Sequence, residues 1–144
     1  ASGGRTTRVA DKLCYPNGIA LAPDGGHLLV CEHRRNRILR YRIGDEGRLG
    51  ERTVWSTLPT EHRLDDTQAY ELGPDGICAA PEGGYWVAHY GSGNVLRLDA
   101  EGAVNGSIPL PEGARPTNVA VAPARKTLYI TESDTGTLYA LPLS

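Results

Sequence analysis

Tyr15-Pro16-Asn17-Gly18-Ile19-Ala20 returns as Gly73-Pro74-Asp75-Gly76-Ile77-Cys78 and again as Arg115-Pro116-Thr117-Asn118-Val119-Ala120. Each phrase opens a short apolar strand. A Pro-containing turn follows, then a second apolar strand and a third. Self-similarity at a fixed period marks a repeat architecture, in which each unit buries its apolar face against its neighbour. The phrase also sets an amide or a carboxylate near the start of every repeat, which is where a function would be built.

The strand signals are short, rich in β-branched and aromatic residues, and bounded by Gly, Pro and Asp. They fall at 18–21, 27–32, 38–43 and 52–56 in the first repeat, and at 76–79, 85–89, 95–99 and 104–110 in the second. The third gives 118–121, 128–132 and 137–141. Pro23-Asp24-Gly25-Gly26 and Pro81-Glu82-Gly83-Gly84 are turns with Pro and Gly in favoured positions, joining strands one and two. No helical period is apparent. Four short antiparallel strands per unit of roughly 40 residues make the blade of a β-propeller. The sequence therefore predicts an all-β chain, one domain over 1–144, with three blades at 16–58, 74–111 and 116–143. An insertion loop at 59–73 lengthens the first repeat.

The third blade lacks a fourth strand, and the stretch 5–10 offers a spare outer one. Propellers need about four to eight blades, so three do not close alone. The expected assembly is half of a six-bladed ring, completed by a second chain. Either a homodimer forms, with the N-terminal strand of one copy completing the last blade of the other, or a complementary half-propeller chain supplies the rest. The third possibility is that the chain is a piece of a longer protein.

Bulk properties narrow the function. The chain has 144 residues, 40% hydrophobic and 22% charged, with a net charge of −2. That balance leaves no basic footprint for nucleic acid or an anionic membrane. No apolar run approaches the roughly 20 residues of a membrane span. The opening Ala1-Ser2-Gly3-Gly4 reads as a flexible lead on a processed or trimmed chain. Cys14, Cys31 and Cys78 form no CxxC, and Cys31 and Cys78 sit in apolar strand patterns. They read as buried free thiols, which favours a reducing, cytoplasmic setting.

Aligning the repeats places Asn17, Asp75 and Asn118 together at the inner strand's start, on one face of the ring. Glu32, His89 and Glu132 share a position at the end of the second strand, followed by His33, Tyr90 and Ser133. The insertion loop, with Glu61, His62, Asp65 and Asp66, is expected over the same face as a lid. A ring of amide and carboxylate oxygens at a channel mouth suits a hard divalent cation. Ca²⁺ takes about six to eight oxygens, side-chain amides included; Zn²⁺, Mn²⁺ and Mg²⁺ are alternatives. Asn and Asp also cap turns through local backbone hydrogen bonds, and that explanation stays open for all three positions. There is no GxSxG elbow and no P-loop.

Tyr15-Pro16-Asn17-Gly18-Ile19-Ala20-Leu21 with Pro23-Asp24-Gly25, Pro74-Asp75-Gly76-Ile77 and Gly83-Gly84-Tyr85-Trp86-Val87-Ala88 carry a family likeness. So do Val95-Leu96-Arg97-Leu98-Asp99, Ile108-Pro109-Leu110-Pro111, Pro116-Thr117-Asn118-Val119 and Leu128-Tyr129-Ile130-Thr131-Glu132. At these residues the chain resembles the C-terminal half of the gluconolactonase/regucalcin (senescence marker protein) family of six-bladed propellers. The resemblance implies a divalent metal, usually calcium, held by Asn17 and Asp75. It implies lactone or ester hydrolysis with Asp75 as general base. The position of Asn118 makes it a third expected ligand, and Glu32, His89 and Glu132 are expected substrate contacts. The family's ligand glutamate and its substrate-reading Arg/Asn pair belong to the half this chain lacks. A non-catalytic, calcium-binding half-propeller scaffold and a propeller of the strictosidine synthase type are the competing readings.

Overall fold

A computed structural model describes residues 4–111 and 113–144. The expected flexible lead falls largely on residues 1–3, which lie outside the described residues. Among the described residues, eleven strands form three antiparallel sheets. The first contains β1 (Pro16–Leu21), β2 (His27–Glu32), β3 (Arg37–Ile43) and β4 (Leu49–Thr57). The second contains β5 (Gly73–Ala79), β6 (Tyr85–Tyr90), β7 (Asn94–Leu98) and β8 (Val104–Pro109). The third contains β9 (Pro116–Ala122), β10 (Thr127–Glu132) and β11 (Thr137–Pro142). Strand order within each sheet follows chain order, as in propeller blades, with β1, β5 and β9 innermost and β1 beside β5, β5 beside β9. Among the described residues there is no α-helix, and no helix is long and apolar enough to cross a membrane.

Period-two alternation decides which blade each side chain joins. Tyr85 and Val87 of β6 turn toward the first sheet and pack with Leu29, Cys31, Ile38, Ile77, Leu96 and Leu98. Trp86 and Ala88, between them in sequence, turn toward the third sheet and pack with Val95, Val119, Leu128 and Ile130. The three cysteines are unpaired; Cys31 is fully buried, whereas Cys14 and Cys78 are half-buried. Burial pushes the Cys31 thiol far up and the Cys78 thiol to about 11, so neither is a ready nucleophile.

Residues 4–13 form no strand. The expected outer strand at 5–10 is not paired to a sheet. Ala10 and Leu13 lie instead on the outward face of the first blade, against Val30, Leu39 and Tyr41.

The phrase glycines mark where inner strands come closest. A Cβ on Gly18 would lie 2.1 Å from the Asp75 carbonyl oxygen, and one on Gly76 would lie 2.1 Å from Asn118 Oδ1. Contacts that short exclude any side chain unless the neighbouring strand moves.

Candidate functional site

The starts of β1, β5 and β9 and the ends of β2, β6 and β10 share one face, and there they enclose a cavity of ≈ 390 Å³. Asn17, Asp75 and Thr117 line it from the inner strands, and His33, Tyr90 and Ser133 from the second strands' ends. Tyr15 and Arg34 flank the first blade's share. Tyr70 and Glu71 enter from the insertion loop.

Asn17 and Asp75 lie together on the cavity wall. Burial pushes the Asp75 carboxyl up to about 6, against an opposing hydrogen bond from the Asn17 side chain. Among the described residues no Lys, Arg or His pairs with Asp75. A half-buried carboxylate without a counter-charge is a group that a cation would stabilise.

Asn118 does not join them. It is exposed, its Oδ1 accepts the Val119 N–H at 2.9 Å, and the same oxygen rests on Gly76. Counted from the proline of each phrase, its equivalents are Gly18 and Gly76, and the residue matching Asn17 and Asp75 is Thr117. All three inner strands carry a β-bulge at this point, so the blades stay equivalent by the count from proline. Pairing passes from Pro16 to Ile19 opposite Glu32 and Val30, from Pro74 to Ile77 opposite His89 and Val87, and from Pro116 to Asn118 opposite Glu132 and Thr131, with one extra residue each time. The bulge re-aims the side chains that strict alternation would place.

Glu32, His89 and Glu132 also fall one residue from the cavity. Each is at most 4% exposed and faces the protein. Glu32 accepts the Cys14 N–H at 2.8 Å and pairs with Arg37. Burial alone would raise its carboxyl, but the Cys14 N–H and Arg37 outweigh it and hold the acid ionised. In Glu132 burial is likewise outweighed, by the Thr135 hydroxyl and the N–H groups of Arg115, Thr135 and Asp134. Its pKa falls to about 2. Both glutamates pair across the sheet with prolines, Pro16 and Pro116, which have no N–H to offer. Their carboxylates instead collect N–H groups from the chain beside those prolines. His89 bonds through Nε2 to Asn36 Oδ1 at 2.7 Å, and burial lowers its pKa to about 3, keeping it neutral. These three buried side chains spend their hydrogen bonds on the protein itself. The cavity side belongs to the next residue in each case.

The insertion loop walls the cavity rather than standing open over it. Leu64 N–H reaches the Gly91 carbonyl at 2.9 Å, and Asp66 pairs with Arg115 at 2.7 Å, itself bound to Asp134 at 2.6 Å. With Nε2 protonated, His33 donates to the Glu71 carbonyl at 3.0 Å. Burial and the neighbouring Arg34 charge lower the His33 pKa, while the Glu71 carbonyl opposes them. Glu61, His62, Asp65 and Asp66 are exposed and do not line the cavity. Among the described residues no group of three or more His, Cys, Asp and Glu side chains forms a metal cluster. The carboxylate and amide oxygens lining the cavity are those of Asn17, Asp75 and Glu71, with hydroxyls beside them; the Glu71 carboxylate accepts the Gln68 N–H, which leaves Asn17 and Asp75 as the unengaged pair.

The family profile described as SMP-30/Gluconolactonase/LRE-like region matches residues 1–134. The 6-deoxy-6-sulfogluconolactonase of Pseudomonas putida is 31% identical over 131 residues, covering 90% of this chain and 42% of that protein. Among solved structures, a gluconolactonase of Xanthomonas campestris superposes with a TM-score of 0.75 at 28% identity, over 99% of this chain and 42% of that one. Regucalcin of Agrobacterium tumefaciens, described as a calcium-binding protein, superposes at 0.76 with 24% identity, over 97% of this chain and 50% of its own. The chain thus spans half or less of the length of these relatives.

Proposed function

The chain belongs to the SMP-30/gluconolactonase/LRE-like family, and from that premise we propose that it carries part of the active face of a divalent-cation-dependent lactone hydrolase. The observation that carries this reading is the Asn17–Asp75 pair: a half-buried carboxylate beside an amide, in a cavity, with no cationic partner among the described residues. The lactonase names of relatives at 28% and 31% identity support the same chemistry.

Asn17 and Asp75 fit a hard cation by donor type, and Ca²⁺ is the first candidate, with Zn²⁺, Mn²⁺ and Mg²⁺ behind it. Two protein donors fall short of a full shell, so water and a completing half of the ring would supply the others. A cation held there would polarise the lactone carbonyl and acidify water. Asp75 then takes the proton of the attacking water. The water oxygen adds to the carbonyl carbon, the ring C–O bond breaks, and the ring oxygen leaves as a hydroxyl with that proton. The Thr117, Ser133 and Tyr90 hydroxyls line the same cavity and suit a polyol.

Hydrolysis of D-glucono-1,5-lactone, followed by pH-stat after chelation and after adding back each cation, tests the proposal. Activity above the spontaneous rate should return with the cation and fall at least about a hundredfold in Asp75→Asn. Cation binding without turnover would favour the scaffold reading. Equal hydrolysis by the variant would sink the role of Asp75.

The remaining blades we assign to a second copy of the chain. Ile19 and Leu21 at one end and Tyr129 and Leu138 at the other are exposed apolar side chains on the outermost sheets, where a further blade would cover them. Sedimentation at micromolar concentration should give twice the chain mass. A monomer would leave a complementary half-propeller chain, or further sequence on this chain, as the source.

A further inference from the structure

Among the described residues lining the cavity, Arg34 is the one Lys or Arg. No ion pair among the described residues includes it. Glu71 lines the same cavity, yet its carboxylate accepts the Gln68 N–H rather than the guanidinium. Aromatic rings hold Arg34 instead: its Cζ lies 4.9 Å from the Tyr15 ring centroid and 5.6 Å from that of Tyr70. Such contacts fix a guanidinium through its face and leave its N–H edge free.

The clamp is assembled from separate elements, Tyr15 from the chain before β1 and Tyr70 from the insertion loop. Tyr15 stands at φ 57°, in the left-handed region that a bulky residue rarely occupies. Its neighbours hold it there. Cys14 N–H donates to Glu32, the Tyr15 carbonyl accepts the His33 N–H at 3.1 Å, and the ring meets His33 edge-on at 5.6 Å. Backbone strain of this kind gathers at ligand clamps. Here it sets a ring against a cation that has no counter-ion.

We propose that Arg34, clamped by Tyr15 and Tyr70, is a subsite for an anionic substituent of the substrate: a carboxylate, sulfonate or phosphate carried away from the reacting carbonyl. A guanidinium edge matches such oxyanions with paired N–H donors. A wholly neutral polyol would leave that charge unused. The inference rests on the cavity being the lactone site and adds the class of lactone that enters it.

Calorimetric titration of the 144-residue chain with D-glucitol, D-glucitol 6-phosphate and inorganic phosphate tests it, since none of these probes hydrolyses. The sugar phosphate should bind about tenfold or more tighter than D-glucitol. Arg34→Gln should reduce that preference to within about twofold, and Arg34→Lys should keep only part of it, because lysine lacks the stacking plane and the fork. The melting temperature of each variant checks that it folds. Equal binding of D-glucitol and its phosphate, or a preference that survives Arg34→Gln, overturns the subsite. Inorganic phosphate binding as tightly as the sugar phosphate also overturns it, because the anion would then be recognised apart from a substrate. If lactone hydrolysis persists in those cases, only the subsite falls. If there is neither hydrolysis nor binding, the cavity itself has been misread.

Discussion

The middle and last blades are built from the same repeat yet are buried differently. In β6 every residue from Tyr85 to His89 is buried, because neighbouring blades cover both faces. In β10 Leu128, Ile130 and Glu132 are buried while Tyr129 and Thr131 between them are exposed. The unit is the same, but the number of neighbours differs. A central blade reads as a continuous apolar run, whereas an end blade shows the alternation of a half-covered sheet. Stability therefore concentrates at the two inter-blade cores, and the outer faces keep apolar side chains exposed.

Matched leucines test that contrast most strongly. Leu96→Ala empties a site that is 1% exposed and should cost about 2–4 kcal/mol by urea unfolding. Leu138→Ala, at a site 66% exposed, should change stability by less than about 0.5 kcal/mol in the lone chain. Comparable losses at both positions would mean that the end face is covered in solution.

A smaller effect separates the anchors at the strand ends. Glu132→Gln faces several N–H donors with an amide and should cost about 1–3 kcal/mol. Its folded pKa of about 2 lies below the ordinary glutamate value, so its contribution is present above that value and is lost as pH falls toward 2. The difference between wild type and variant should therefore shrink progressively below about pH 4. A gap independent of pH would show that the carboxylate charge is not what matters.

The smallest shift has the opposite sign. The folded pKa of Asp75, about 6, lies above the ordinary aspartate value. Its destabilising contribution is absent at low pH and fully present above about 6. In cation-free buffer at neutral pH, Asp75→Asn should raise the melting temperature by a few degrees, about what a kcal/mol or so gives in a chain of this size. An unchanged melting temperature would mean that the carboxylate is better solvated than its burial indicates.

The blades were legible because Pro, Gly and alternating apolar residues are local signals, and the three phrases keep them in step. The site was legible only in part. Asn17 and Asp75 line the cavity at the position after the phrase's proline, and in the third phrase that position is Thr117, whereas the amide that draws the eye, Asn118, stands one residue later. Counting from each proline, rather than matching amides, would have found Thr117. The slip from Glu32, His89 and Glu132 to His33, Tyr90 and Ser133 has a similar origin. Chemistry-bearing side chains draw attention, yet at these positions burial recruits them to satisfy backbone N–H groups and an asparagine. The Arg34 clamp depends on Tyr15 and Tyr70 meeting across the fold, and their sequence separation carries no sign of that.

Calorimetric titration of Ca²⁺ into wild type, Asn17→Ala and Asp75→Asn tests the central claim most directly. The account predicts binding by the wild type, a loss of at least about tenfold in each variant, and no added loss when the control Asn118→Ala is examined. Undiminished binding by Asp75→Asn, or a loss confined to Asn118→Ala, would contradict it.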